Sequence, residues 1–164
     1  RCRGWKALRY AAARPEHCDI WIAWFMFSEL VRILRGGIRP TSFEQLCIEA
    51  CLKNLPEQIK DIANTQLAQY NLIQREIDGR ALNFYKVARF NQIVEPSNLL
   101  PIKSKDCVLL KIEVETDTKE SVNVTLHATG YRVFCIQFSR SVSNLKSTKE
   151  IAVKKITQSW RDVI

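Results

Sequence analysis

The chain has 164 residues, with few glycines and prolines, no low-complexity stretch and no internal repeat. Its apolar and charged contents are ordinary, which excludes wholesale disorder and leaves room for one domain with a sizeable core rather than two. The net charge of +8 sits at the ends: residues 1–40 carry eight basic and three acidic groups, residues 121–164 seven basic and two acidic, and the middle is acidic or balanced. A basic balance admits nucleic acid or an anionic surface as a partner, although a soluble protein with basic ends needs neither.

The chain begins at Arg1 rather than Met, as a fragment or a processed form would. Residues 1–14 carry five basic groups and no acid, a composition shared by organelle-targeting leaders and by short basic surface helices. Composition changes near Pro40, from Arg, Trp and Ala to Lys, Asn, Ile and Thr. Residues 1–40 are therefore read as a basic, aromatic N-terminal segment, and residues 41–164 as a single α+β domain. Within the first segment, Asp19 can cap a helix from Ile20 to Arg35, closed by Gly36 and Gly37. The apolar run is too short for the ~20 residues of a membrane span, so no integral span is expected. A helix apolar on every side is usually enclosed. Anchoring to a membrane surface through Trp21, Trp24 and Phe25 is the less favoured alternative.

Thr41-x-x-Glu44 and Ser42-x-x-Gln45 both match a capping box, and Phe43, Leu46, Cys47, Ala50 and Cys51 recur at helical spacing. Pro56 opens a second, longer helix, expected to run to Asp78 and stop at Gly79, with Ile59, Ile62, Ala63, Leu67, Tyr70, Ile73 and Ile77 inward. Residues 82–87 suggest a strand, and within the otherwise weakly signalled 81–105 Glu95-Pro96-Ser97-Asn98 and Leu100-Pro101 mark loops.

Residues 107–139 give the clearest signal, a three-stranded antiparallel meander over Cys107–Glu115, Glu120–His127 and Tyr131–Ser139. Val108, Leu110, Ile112 and Val114, then Val122, Val124 and Leu126, then Phe134, Ile136 and Phe138 form one apolar face by strict alternation. Ile112 is expected opposite Val124, and a three-residue loop Ala128-Thr129-Gly130 is expected to set His127 opposite Tyr131 and to line both up with Leu109. The capping box Ser147-x-x-Glu150, with Val153, Ile156, Trp160 and Val163 behind it, predicts a C-terminal helix. The expected architecture is thus α+β: N-terminal helices, a three- or four-stranded meander with its apolar face covered by helices, and a last helix.

Chemistry is sparsely signalled. There are two histidines. His17, Cys18 and Asp19 would need Cys2, Cys47 or Cys51 to close a zinc site, at spacings that match no zinc module. No phosphate loop, nucleophile elbow or metalloprotease motif occurs, so neither metal, cofactor nor catalytic constellation is expected. The six cysteines include no Cys-x-x-Cys and no tight framework, which fits a reduced cytoplasmic protein. No stretch carries a family signature. The leading expectation is a non-enzymatic binding protein acting on another protein through the mixed face of the sheet, at Lys111, Asn123, Thr125, His127 and Tyr131. The alternative is a nucleic-acid-binding module using Lys149, Lys154, Lys155 and Arg161 along the last helix.

Overall fold

The structure, a computed structural model, describes residues 37–88 and 92–158. These hold two helices, α1 (Ser42–Lys53) and α2 (Glu57–Gln69), followed by seven strands: β1 (Leu72–Arg75), β2 (Ala81–Val87), β3 (Ile93–Val94), β4 (Asp106–Thr116), β5 (Ser121–Thr129), β6 (Arg132–Phe138) and β7 (Ile151–Gln158). Every pairing is antiparallel, in the order β1-β2-β6-β5-β4-β7, with β3 against the far end of β2. The α+β architecture is as expected, and the sheet is about twice as wide.

α1 starts as its sequence dictates. The Thr41 hydroxyl accepts from the Glu44 amide, and the Glu44 carboxylate accepts from the Thr41 amide at 2.6 Å. Glu44 does more than cap: Arg75 in β1 donates to both its oxygens, at 2.7 and 2.6 Å. Glu44 is 1% exposed, so this two-point pair ties the helix start to the edge strand away from water.

α2 is shorter than its apolar stripe suggested. Its last cap, Tyr70, is already extended, and residues 72–75 form β1 instead of a further turn of helix. The Asn71 side chain explains the change: its amide donates to Val87 O and its carbonyl accepts from Val87 N, both at 2.8 Å, as a neighbouring strand would. Gly79 does not stop a helix. It sits at φ +69° in the β1–β2 hairpin, where a Cβ would stand 2.8 Å from the Ser141 and Ser143 hydroxyls, a position that favours glycine. Ile73 therefore packs from β1 and Ile77 is exposed in the turn.

The expected C-terminal helix is a strand. Val153 lies opposite Val114 and Ile156 opposite Ile112. The two β4 residues are two apart and their β7 partners three apart, because Lys154 is an inserted residue. The bulge turns a period of two into a period of three, which imitates a helix. The Ser147 capping box does not form. The Lys149 amide donates to the Asp117 carboxylate instead, and a run holding Ile151, Val153, Ile156 and Thr157 suits the open edge of β4.

α1 and α2 lie on one face of the sheet, α1 over β4 and β7 and α2 over β6. Leu110, Ile112 and Val114 of β4, and Val122, Val124 and Leu126 of β5, are all at most 1% exposed beneath them. The Phe43 ring meets Phe138 at 6.0 Å. Loop residues Leu100, Ile102, Val142 and Leu145 complete the core. Among the described residues, no helix is long and apolar enough to cross a membrane. The expected helix at 20–35, with Trp21, Trp24 and Phe25, lies outside them, as do His17, Cys18 and Arg161.

Candidate functional site

β5 is the axis of the site. It alternates without interruption, with Val122, Val124, Leu126 and Ala128 buried and Ser121, Asn123, Thr125 and His127 turned to the other face. Ile112 pairs with Val124 as expected, and Lys111 pairs with Thr125, Glu113 with Asn123. Lys111, Asn123 and Gln137 are exposed and Thr125 and His127 half-buried. They run side by side across β4, β5 and β6 on the face opposite the helices.

At the level of His127 both neighbouring strands break step. In β4, Val108 lies opposite His127 and Leu110 opposite Leu126, so Leu109 is inserted. In β6, Cys135 lies opposite His127 and Val133 opposite Ala128, so Phe134 is inserted. This corrects the expected row of Leu109, His127 and Tyr131. Leu109 is fully buried, and Val133 rather than Phe134 enters the core. The parity argument for the second hairpin assumed unbroken alternation. A bulge removes that assumption. The loop is two residues, Gly130-Tyr131, with φ of 62° at each, between the paired Thr129 and Arg132. His127 thus looks onto Val108 on one side and Cys135 on the other, and its Nε2 lies 3.1 Å from Gln137 Oε1.

Tyr131 does not join that face. It occupies the turn and packs against the core side. A left-handed backbone is unfavourable for a large side chain, by roughly 1 kcal/mol, and the turn holds it there. The Tyr131 amide donates to Lys105 O at 3.3 Å and the Leu100 amide to Tyr131 O at 2.8 Å.

The inserted residue in β6 also parts β6 from β2. Their pairing runs from Ala81–Gln137 to Asn83–Cys135 and ends there. Val133 would lose its backbone partners at the gap, but α2 replaces them. Gln66, itself fully buried, accepts from Val133 N at 2.9 Å, and the Tyr70 hydroxyl donates to Val133 O at 2.5 Å. The Gln66 amide also donates to Asn98 O. Burial pushes the Tyr70 phenol up to about 12, against a smaller downward pull from the Arg132 charge, so it stays a donor at neutral pH. In the gap lies a cleft of about 500 Å³, bordered by Tyr70, Phe84, Tyr85, Tyr131, Arg132 and Phe134. Neither Gln66 nor Arg132 was singled out from the sequence. The only signal for them was a polar residue within the apolar stripe of α2 and a cation beside a Gly-Tyr turn.

The described basic residues of the alternative reading do not lie on a helix. Lys149 lies in the loop before β7, Lys154 and Lys155 are consecutive in an exposed strand, and Arg161 is outside the described residues. Lys154 Nζ is 3.0 Å from Glu115, and Lys155 lies opposite Glu113 in register, so a carboxylate offsets Lys154 locally. Hydrogen bonds from Lys154 and Lys119 hold the Glu115 carboxyl below its ordinary value.

Cys47 and Cys51 are buried on the inner face of α1, and Cys107 and Cys135 are half-buried on β4 and β6 with β5 between. Burial raises all four thiols, Cys51 to about 12 and Cys135 to about 11, so none is a ready nucleophile at neutral pH. Among the described residues, no three His, Cys, Asp or Glu side chains come together as a metal-binding group. No family model, no curated protein and no solved structure matches the chain.

Proposed function

We propose that this chain is a non-enzymatic binding protein that works inside the cell, in the cytoplasm, through protein contacts on the open face of its sheet. The working surface is centred on His127, with Lys111, Asn123 and Thr125 around it. Tyr131, expected in this group, belongs to the neighbouring cleft. One observation carries the reading: both strands beside His127 are bulged at its level, in β4 at Leu109 and in β6 at Phe134. Bulges re-aim side chains and concentrate beside working sites, and here two of them shape the same patch. Four unpaired thiols among the described cysteines favour a reducing compartment.

The test is affinity capture with the full chain against a Thr125→Arg variant whose melting temperature is unchanged. A protein retained by the first and lost from the second supports the reading. A purified chain that turns over a substrate and loses that activity on His127→Ala contradicts it. So does tight, salt-sensitive binding of generic RNA that is abolished by exchanging Lys154 and Lys155 for Glu, since that is the behaviour of the nucleic-acid module.

A further inference from the structure

We infer that the cleft between β2 and β6 is a binding site for a small aromatic monocarboxylate, separate from the open sheet face and independent of its role. Its volume of about 500 Å³ is within the range of small-molecule sites, about 300–1,000 Å³. Aromatic rings make its walls. Tyr70 stacks on Phe84 at 6.1 Å and 17°, and Tyr85 meets Phe134 edge-on at 5.8 Å. The mouth is apolar as well. Ile93 and Leu99, 68% and 52% exposed, are two of the five large apolar side chains left in water among the described residues, and both border this cleft. Exposed apolar side chains grouped at one cleft mark a place where a flat apolar body can be covered.

Charge selects the other end of the ligand. Lys86, Lys105 and Arg132 border the cleft against one acid, Glu95. Lys86 already donates to Gln69 Oε1 at 2.8 Å. Lys105 has no side-chain partner among the described residues. Arg132 pairs with Glu95, but the Arg132 side chain is 18% exposed and Glu95 74%, so the partner is a surface carboxylate open to exchange with solvent. The Arg132 Nε is buried and bonds to nothing, the one such side-chain atom among the described residues. A buried donor without an acceptor calls for an explanation, and a ligand carboxylate exchanging with Glu95 would give the guanidinium that acceptor. Both cations flank the Gly130-Tyr131 turn: Lys105 through its backbone bond to Tyr131, and Arg132 with Nη1 3.3 Å from where a Gly130 Cβ would stand. The left-handed Tyr131 is then a strained residue held at a site, where strain tends to be kept.

The test is an amide-resolved NMR titration of the full chain with 2-naphthoate, alongside 2-naphthalenemethanol, which has the same ring system without the charge. Saturable shifts centred on Lys105, Gly130, Tyr131 and Arg132 are expected, with the alcohol weaker by about tenfold and Lys105→Glu weakening naphthoate by a similar factor. Lys105 is exposed, so that variant leaves folding intact. Shifts that are absent or scattered over the surface overturn the site. An alcohol that binds as well as the acid, or naphthoate binding unchanged in Lys105→Glu, overturns the anion. Either result leaves the reading of the sheet face where it stands.

Discussion

The two faces of β5 are made from alternate residues of one nine-residue strand, yet they answer to different constraints. Inward, Val122, Val124, Leu126 and Ala128 are each at most 1% exposed beneath α1, α2 and their loops. Outward, Asn123, Thr125 and His127 meet water and the neighbouring strands. The inner face is fixed by packing, so its chemistry is uniform. The outer face is free of that demand, and it is where the bulges of β4 and β6 converge. A residue's partner in sequence therefore says little about its role, and its parity says much.

The comparison can be broken most sharply at adjacent positions. Val124→Asp buries an unpaired charge in the centre of the sheet and is expected to cost about 4 kcal/mol or more, enough to unfold the domain in a urea titration. The inner side also depends on its few polar groups. Glu44→Gln leaves Arg75 without its carboxylate and is expected to cost about 3 kcal/mol by the same measurement, slightly moderated because Arg75 reaches solvent. Gln66→Leu strips the acceptor from Val133 N and is expected to cost about 1–3 kcal/mol, with faster hydrogen exchange at the Val133 amide. An unaltered exchange rate there would show that the bulge does not rely on α2. On the outer face, Thr125→Asp should change stability by no more than about 0.5 kcal/mol. Equal effects at 124 and 125 would abolish the distinction between the faces.

The smallest effect concerns acid. The folded pKa of Glu115 is depressed below its ordinary 4.5 by Lys154 and Lys119. Its contribution is therefore present above 4.5 and is lost as pH falls through the lower folded value. Lys154→Ala should raise that folded value and flatten this part of the acid loss. Urea midpoints of the two proteins, followed from neutral pH down through the carboxylate range, should converge as pH falls. Parallel curves would mean that the pair does not couple to folding.

Much of this was legible in the residues. Alternation over Val122–His127 marks β5, Ile112 lies opposite Val124 as expected, and Thr41-x-x-Glu44 marks the start of α1. What misled were the places where tertiary partners alter the period. Lys154 inserted in β7 spaces Val153 and Ile156 like a helix, and Asn71 imitates a strand so that β1 begins where a helical stripe continues. Phe134 and Leu109 exchange faces with their neighbours for the same reason. Inserted residues carry no local signature, since the bulge is defined by the strand opposite. The cleft was invisible on similar grounds. It exists because β2 and β6 part beyond Asn83, and its lining comes from segments far apart in the chain, with Tyr131 the one member expected at a binding surface.

The central claim is that the outer face around His127 is the working surface. The most direct measurement is photo-crosslinking in native cell extract, with p-benzoylphenylalanine placed at position 125 of the full chain and, as a control, at position 77, where Ile77 is fully exposed in the β1–β2 turn. A discrete adduct to one protein from position 125, absent from position 77, is the predicted result. The same adducts from both positions, or none from 125, would contradict it.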